Sequence, residues 1–143
     1  MALVLLAVLT AVQLGFQLTV TLVVYPTLAE TRDEDWTTAH DRHSRRIAVP
    51  VVLLYGGLVA AVPAAWSSAE AAERTWVAAG AVCLVMLLLT TAVLAAPTHG
   101  RLGREPAERR PLLLGRLQRV DRARLAWSVA LAGCAAGALL VRA

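Results

Sequence analysis

The sequence of 143 residues contains no lysine and no asparagine, and it has only one isoleucine and one phenylalanine. All 14 side chains counted as Lys or Arg are therefore arginines. Such a bias is typical of a GC-rich genome. The preference for arginine therefore does not indicate bidentate recognition of anions.

Several cofactor and catalytic motifs are also missing. The two cysteines, Cys83 and Cys134, lie in apolar runs without a Cys-x-x-Cys pattern, so we interpret them as small packing residues. The chain has no glycine-rich nucleotide loop, no Gly-x-Ser-x-Gly, no His-Glu-x-x-His and no Cys-x-x-Cys-His. It therefore carries no signature for a flavin, a nicotinamide or haem.

The sequence is rich in apolar residues. Hydrophobic residues make up 58% of it and the mean hydropathy is +0.62, which is too apolar for a soluble domain. Four runs are long enough to cross the hydrocarbon core. We predict an all-α four-helix bundle, one transmembrane domain over residues 1–143, with spans at residues 2–25, 47–66, 76–96 and 124–141. The first run has no basic start and is too long for a signal-peptide core, so we expect it to be retained.

The arginines are distributed unequally between the two membrane faces. Twelve lie in or beside the two long connectors, residues 30–46 and 97–124, and two lie on the other side, Arg74 and Arg142. The positive-inside rule then predicts a cell-membrane protein with both connectors cytoplasmic and both termini outside. Because this topology explains the basic charge, we expect the bilayer as a partner and no nucleic acid.

The connector before span two carries a helical stripe. Trp36, His40, His43 and Ile47 would share one face of a short interfacial helix. A second interfacial helix is predicted over residues 112–120, with its apolar side chains toward the membrane surface: Leu113, Leu117 and Val120. We expect span one to stop at Tyr25, because Pro26 disfavours helical geometry at the preceding residue.

The predicted topology brings a third histidine, His99, to the same face as His40 and His43. Three imidazoles can hold a transition metal with open positions for oxygen, copper or iron being better suited than zinc. Without a metal, one histidine would act as a general base. The alternative is that His40 and His43 are ordinary amphipathic side chains at the headgroup level.

Other polar residues are candidates for the same site. Asp121, Arg124 and Trp127 share a helix face, and Tyr25 can donate a hydrogen bond into the site. Asp41 and Asp121 would either orient histidine ring nitrogens or pair with arginines. The stripe in span one must face the bundle, where we expect it to line a substrate pocket together with Trp36: Gln13, Gln17 and Thr21.

The order of these motifs resembles the anthrone oxygenase-like family of small four-helix membrane proteins. The resemblance rests on Tyr25-Pro26, on Trp36 with the two histidines that follow, on Pro97-x-His99-x-x-Leu102, and on Asp121-x-x-Arg124-x-x-Trp127. It implies oxidation of anthrones with molecular oxygen in secondary metabolism, and catalytic roles for His40, His43, His99, Arg124 and Trp127. Asp121 stands where the family usually has asparagine.

Two functions remain open at this stage. One is a membrane oxygenase or oxidoreductase acting on a lipophilic aromatic substrate at the cytoplasmic face. The other is a non-catalytic bundle, either a small-molecule carrier or a partner subunit of a membrane complex. The Gly56-Gly57 pair allows close helix contact within one chain or in a homo-oligomer.

Overall fold

Four long helices make up the structure, a computed structural model that describes residues 1–142; residue 143 of the predicted domain lies outside this range. All four are long and apolar enough to cross a membrane, and in chain order they cover Ala2–Ala29, Trp36–Ser68, Ala71–Leu102 and Ala107–Leu140. In chain order, the elements are α1 (Ala2–Thr19), a π-helical turn (Val20–Val24), α2 (Tyr25–Ala29), α3 (Trp36–Ser68), α4 (Ala71–Leu89), a second π-helical turn (Thr90–Ala95), α5 (Ala96–Leu102), a 3-10 turn (Ala107–Arg109) and α6 (Arg110–Leu140). The predicted all-α bundle of a multi-pass membrane protein is confirmed.

The two predicted interfacial helices are the first turns of longer helices. Residues 36–46 continue without a break into the rest of α3, and residues 112–120 belong to α6. The expected orientation of residues 112–120 is wrong, because Leu113 and Leu117 are only 5% and 1% exposed. They pack against other helices of the bundle, where apolar side chains are removed from water more completely than at a headgroup surface.

The first long helix does not stop at Tyr25, although the proline rule predicted that it would. Tyr25 has helical dihedral angles (φ −68, ψ −39), and the helix continues to Ala29. A proline ring in an α-helix clashes with the carbonyl four residues before it. For Pro26 and Pro97 these carbonyls belong to residues 22 and 93, which lie in the two π-helical turns. The wider turns make room for the proline rings, so the helices continue.

The interior of the bundle has three tiers. An apolar tier near the chain termini contains Leu3, Leu58 and Leu131 among its members. A second apolar tier, near the two long connectors, includes Trp36, Leu102 and Leu117. We call these the terminal tier and the connector tier. Between them lies a polar layer of buried or half-buried side chains: Gln13, Gln17, Thr21, Tyr55, Thr91, Asp121, Arg124 and Ser128.

Helix α3 takes a longer path between the connector tier and the polar layer than the third long helix does. It is tied to the third long helix at both ends of this path, by Trp36 with Leu102 and by Tyr55 with Thr91. Nineteen residues separate Trp36 from Tyr55, but only eleven separate Thr91 from Leu102. At a rise of about 1.5 Å per residue these stretches measure about 28 Å and about 17 Å. The middle of α3 must therefore run obliquely, away from the bundle.

The loop after α5 is held by the carboxylate of Glu105. Arg101 and Arg109 both donate hydrogen bonds to it, at 3.1 and 3.2 Å. The hydrogen bond from Arg101 holds the pKa of this carboxyl below its usual range. The charged connector is therefore organised by ion pairs around the exit of α5.

Close packing of α4 on α6 depends on Gly137. A Cβ atom at this position would lie 2.7 Å from Cδ2 of the Trp76 indole, which is a rigid ring. We expect Gly137→Ala to lower the free energy of unfolding in detergent by about 1–3 kcal/mol, the usual cost of overpacking. Gly133→Ala is the control because nothing lies within 4 Å of its Cβ position. It should stabilise α6 by up to about 1 kcal/mol through helix propensity. Equal behaviour of the two variants would contradict this account.

Candidate functional site

The three histidines converge at the connector end of the bundle. Nε2 of His40 lies 2.9 Å from Nδ1 of His99, so these two nitrogens share a hydrogen bond. The ring of His43 stacks on His99 with centroids 5.4 Å apart and an interplanar angle of 17°. The predicted stripe on α3 therefore faces inward and meets the third histidine.

His40 is held in place from two sides. The Trp36 ring stacks on it at a centroid distance of 5.6 Å, and the Trp36 indole N–H donates to the carbonyl of Leu102 at 3.2 Å. On the other side lies Gly103, where a Cβ atom would come within 3.0 Å of Cε1 of His40. The imidazole is only 5% exposed and has little freedom to rotate.

Asp41 lies near this pair without binding it tightly. Its Oδ1 atom is 3.7 Å from Nδ1 of His40, which is longer than a hydrogen bond, and its side chain is 60% exposed. The negative charge nevertheless favours the tautomer of His40 that carries its proton on Nδ1. The other candidate acceptor, Asp121, pairs with Arg124, the alternative that the sequence left open.

The ring geometry does not fit a bound metal in this arrangement. Two imidazole nitrogens on one metal point at a common centre about 2.0–2.1 Å from each. Here the nitrogens of His40 and His99 point at each other as donor and acceptor. Within residues 1–142, no group of three or more His, Cys, Asp or Glu side chains is placed to hold a metal. A metal on His40, His43 and His99 stays a prediction that requires these rings to rearrange.

A cavity of about 300 Å³ lies under the oblique part of α3. Its wall is mostly apolar, with the histidines at one end and Arg124 among the polar groups that line it. The main contributors are Phe16, Val20 and Tyr25 from the first long helix, His43, Ile47 and Val51 from α3, and Thr91, Ala96 and His99 from the third long helix. An apolar cavity with a few convergent polar groups is the usual form of a small-molecule site.

The polar layer centres on a buried ion pair. Arg124 donates to Oδ1 of Asp121 at 3.2 Å and to the hydroxyl of Tyr55 at 3.1 Å. Asp121 also accepts hydrogen bonds from Gln17 at 2.6 Å and Thr21 at 2.5 Å. Charges in hydrocarbon require such partners, and here three of the long helices supply them directly. The fourth contributes through Thr91, which is hydrogen-bonded to Tyr55 at 2.9 Å.

Several predicted residues lie away from the cavity. Gln17 and Thr21 bind Asp121, and Gln13 is fully buried deeper in the bundle, so none of the three lines this cavity. The reason is that a charged carboxylate competes for these polar groups more strongly than an apolar cavity does. Trp36 stands behind His40, and Trp127 is half-buried outside the cavity wall.

Sequence reasoning missed two residues that connect the site to the polar layer. Tyr55 lies in the apolar run of α3 and joins Arg124 to Thr91. Thr91, which also lines the cavity, donates to the carbonyl of Leu87. A tyrosine in the middle of an apolar span, rather than at its end, was the available signal, because its hydroxyl needs a buried partner there.

Comparisons with known proteins found no matching family, curated protein or solved structure. The resemblance to the anthrone oxygenase-like family therefore stays a prediction from the motifs.

Gln17 and Gln13 offer a matched test of the polar layer. Both amides are fully buried on one face of α1, but only Gln17 binds Asp121. Gln17→Leu removes a hydrogen bond to a charged group, so we expect it to lower the free energy of unfolding by about 1.5–3 kcal/mol. Gln13→Leu removes an amide that has no hydrogen-bond partner among the described residues, and it should not destabilise the bundle. Chemical denaturation in detergent measures both, and an equal loss in the two variants would contradict the assignment.

Proposed function

We propose that this protein is a membrane-embedded oxidoreductase in which a histidine pair removes a proton from a lipophilic aromatic substrate that then reacts with O2. The observation that carries the proposal is the placement of His99. Its Nδ1 is engaged by His40, and its buried Nε2 has no hydrogen-bond partner among residues 1–142. This ring lines an apolar cavity that also contains an arginine.

The pair has the arrangement of a base and its orienting group. With a proton on Nδ1 of His40, as the nearby Asp41 favours, Nε2 of His40 accepts the Nδ1–H of His99. The remaining nitrogen of His99, Nε2, then has a free lone pair. A base held in one tautomer by a second group is the usual design for proton abstraction.

The polar groups on the cavity wall complement this base. Arg124 and Tyr25 both line the cavity and are hydrogen-bond donors. Removal of a proton from a carbon that is conjugated with a carbonyl places negative charge on the carbonyl oxygen. Donors fixed at that oxygen would stabilise the charge as it forms.

An anthrone satisfies these requirements, and it is the substrate class that the family resemblance implies. His99 would take a proton from its CH2 carbon, and the resulting anion would donate electrons to O2. One oxygen atom ends as the new ketone and the other leaves as water, so that anthrone and O2 give anthraquinone and water. No electron donor besides the substrate is needed. This balance allows the reaction to proceed without a resident cofactor.

The alternative function as a carrier finds less support. A carrier needs a path of polar or open space toward both faces of the membrane. Here the terminal tier fills one half of the bundle with closely packed side chains such as Leu3, Leu58 and Leu131. The cavity is confined to the connector half, which we propose is the cytoplasmic half from the arginine distribution.

Single substitutions of the histidines test the proposal. In proteoliposomes supplied with anthrone, we expect His99→Ala to lower the rate of O2 consumption by about 10²–10⁴-fold, the usual contribution of a general base. His40→Ala should lower it by about 10²-fold, because His99 loses its orientation. Arg45→Ala, an exposed site on the same helix, is the control. Full activity in both histidine variants, with folding intact, would overturn the catalytic proposal.

A glycine variant tests orientation while keeping all three imidazoles. Gly103→Ala forces His40 to move, whereas Gly115→Ala meets nothing within 4 Å. We expect the first to lower the same rate by about tenfold or more and the second to leave it unchanged. Equal activity of the two would show that the position of His40 does not matter.

Metal analysis separates the two versions of the chemistry. The arrangement of the rings leads us to expect less than stoichiometric metal in detergent-purified protein, and unchanged activity after treatment with a chelator. Stoichiometric copper or iron, with activity lost on chelation and restored by the metal, would instead support the hypothesis that the histidines bind a catalytic metal.

A further inference from the structure

The middle of α3 stands off the rest of the bundle. None of residues 41–54 is buried, although His40 at one end and Tyr55 at the other are. The cavity lies beneath this segment, on the face formed by His43, Ile47 and Val51. The opposite face is apolar and exposed, since Val52 and Leu53 are each 68% exposed. In a membrane this face contacts lipid.

Hydrogen-bonded side chains lie at both ends of the cavity. At the connector end, His40 is joined to His99, and Trp36 is joined to Leu102. At the other end, Tyr55 is joined to both Thr91 and Arg124. These contacts obstruct movement of a ligand along the bundle axis, either from the cytoplasm or from the terminal tier.

The most exposed part of the cavity lining lies at its side. Of the residues that line it, only Ala48 on α3 and Ala96 on α5 are exposed. Both are small and apolar, and their chain neighbours Val49 and Ala95 belong to apolar runs that are long enough to cross a membrane. The opening therefore lies at the connector-side end of the two apolar runs and is lined by apolar side chains.

We propose that the ligand of this cavity reaches it sideways from the hydrocarbon of the bilayer, through the gap between Ala48 and Ala96. This inference rests on the proposed function for the identity of the ligand, a flat and largely apolar molecule with one acceptor oxygen. Its apolar rings match the mostly apolar cavity wall, and its oxygen matches the donors Arg124 and Tyr25. A water-soluble substrate would lose its hydration on this route without regaining hydrogen bonds.

Spin-label accessibility tests the position of the opening without any activity measurement. Cys83 and Cys134 are first replaced with alanine, and a nitroxide is attached to a single cysteine introduced at Ala48 or Ala96. In proteoliposomes, we expect collisions with O2, which concentrates in the bilayer, to dominate over collisions with a water-soluble nickel chelate. Matched labels at Val52, 68% exposed on the apolar face, and at Arg45 in the exposed connector give the lipid and water references. Accessibility at both positions like that of Arg45 would overturn the proposal.

Kinetics test passage through the opening. We expect Ala48→Phe combined with Ala96→Phe to lower kcat/KM for membrane-dissolved anthrone about tenfold and to leave kcat within about twofold, as gating of access predicts. Val52→Phe, on the lipid face one turn away, should change neither. Unchanged kcat/KM in the double variant would overturn lateral access even if the enzyme is active. Lipid-like spin-label accessibility in a protein without oxygenase activity would support the opening and reject only the proposed function.

Discussion

The ion pair between Arg124 and Asp121 is the constraint on which the rest of the structure depends. Two opposite charges inside an apolar bundle are tolerated only when most of their remaining hydrogen-bonding groups find partners in the protein. Asp121 obtains them from Gln17 and Thr21, and Arg124 obtains one from Tyr55. The need to satisfy one charged pair thus fixes the relative positions of α1, α3 and α6 at the level of the polar layer.

The same requirement explains why the cavity exists. Tyr55 has to reach Arg124, while Trp36 has to reach the end of α5, and the stretch of α3 between them is longer than the opposing stretch of the third helix. A helix cannot shorten, so the excess length becomes tilt. The tilt leaves space under residues 41–54 beside His99. The chemistry of the site and the packing of the bundle therefore have a common origin.

The part of the site that follows from local spacing could be predicted from the sequence. The inward stripe of His40 and His43 and the inward direction of Gln17 both depend only on helical periodicity in an apolar context. The role of Tyr55 could not be predicted, because its partners Thr91 and Arg124 lie 36 and 69 residues away in the chain. The helical continuation through Pro26 was also missed, since the proline rule applies to α-helical turns and the chain forms a π-helical turn there.

The second of these wide turns also determines the direction in which His99 points. A π-helical turn completes one rotation with about one more residue than an α-helical turn, so it absorbs an extra residue without rotating the helix that follows. The turn at Thr90–Ala95 therefore keeps α5 in phase with α4 although the chain holds one more residue there. In evolutionary terms, deletion of a single codon in this segment would leave an α-helical turn without room for the Pro97 ring, so the helix would kink just before His99 while every residue of the site was still present.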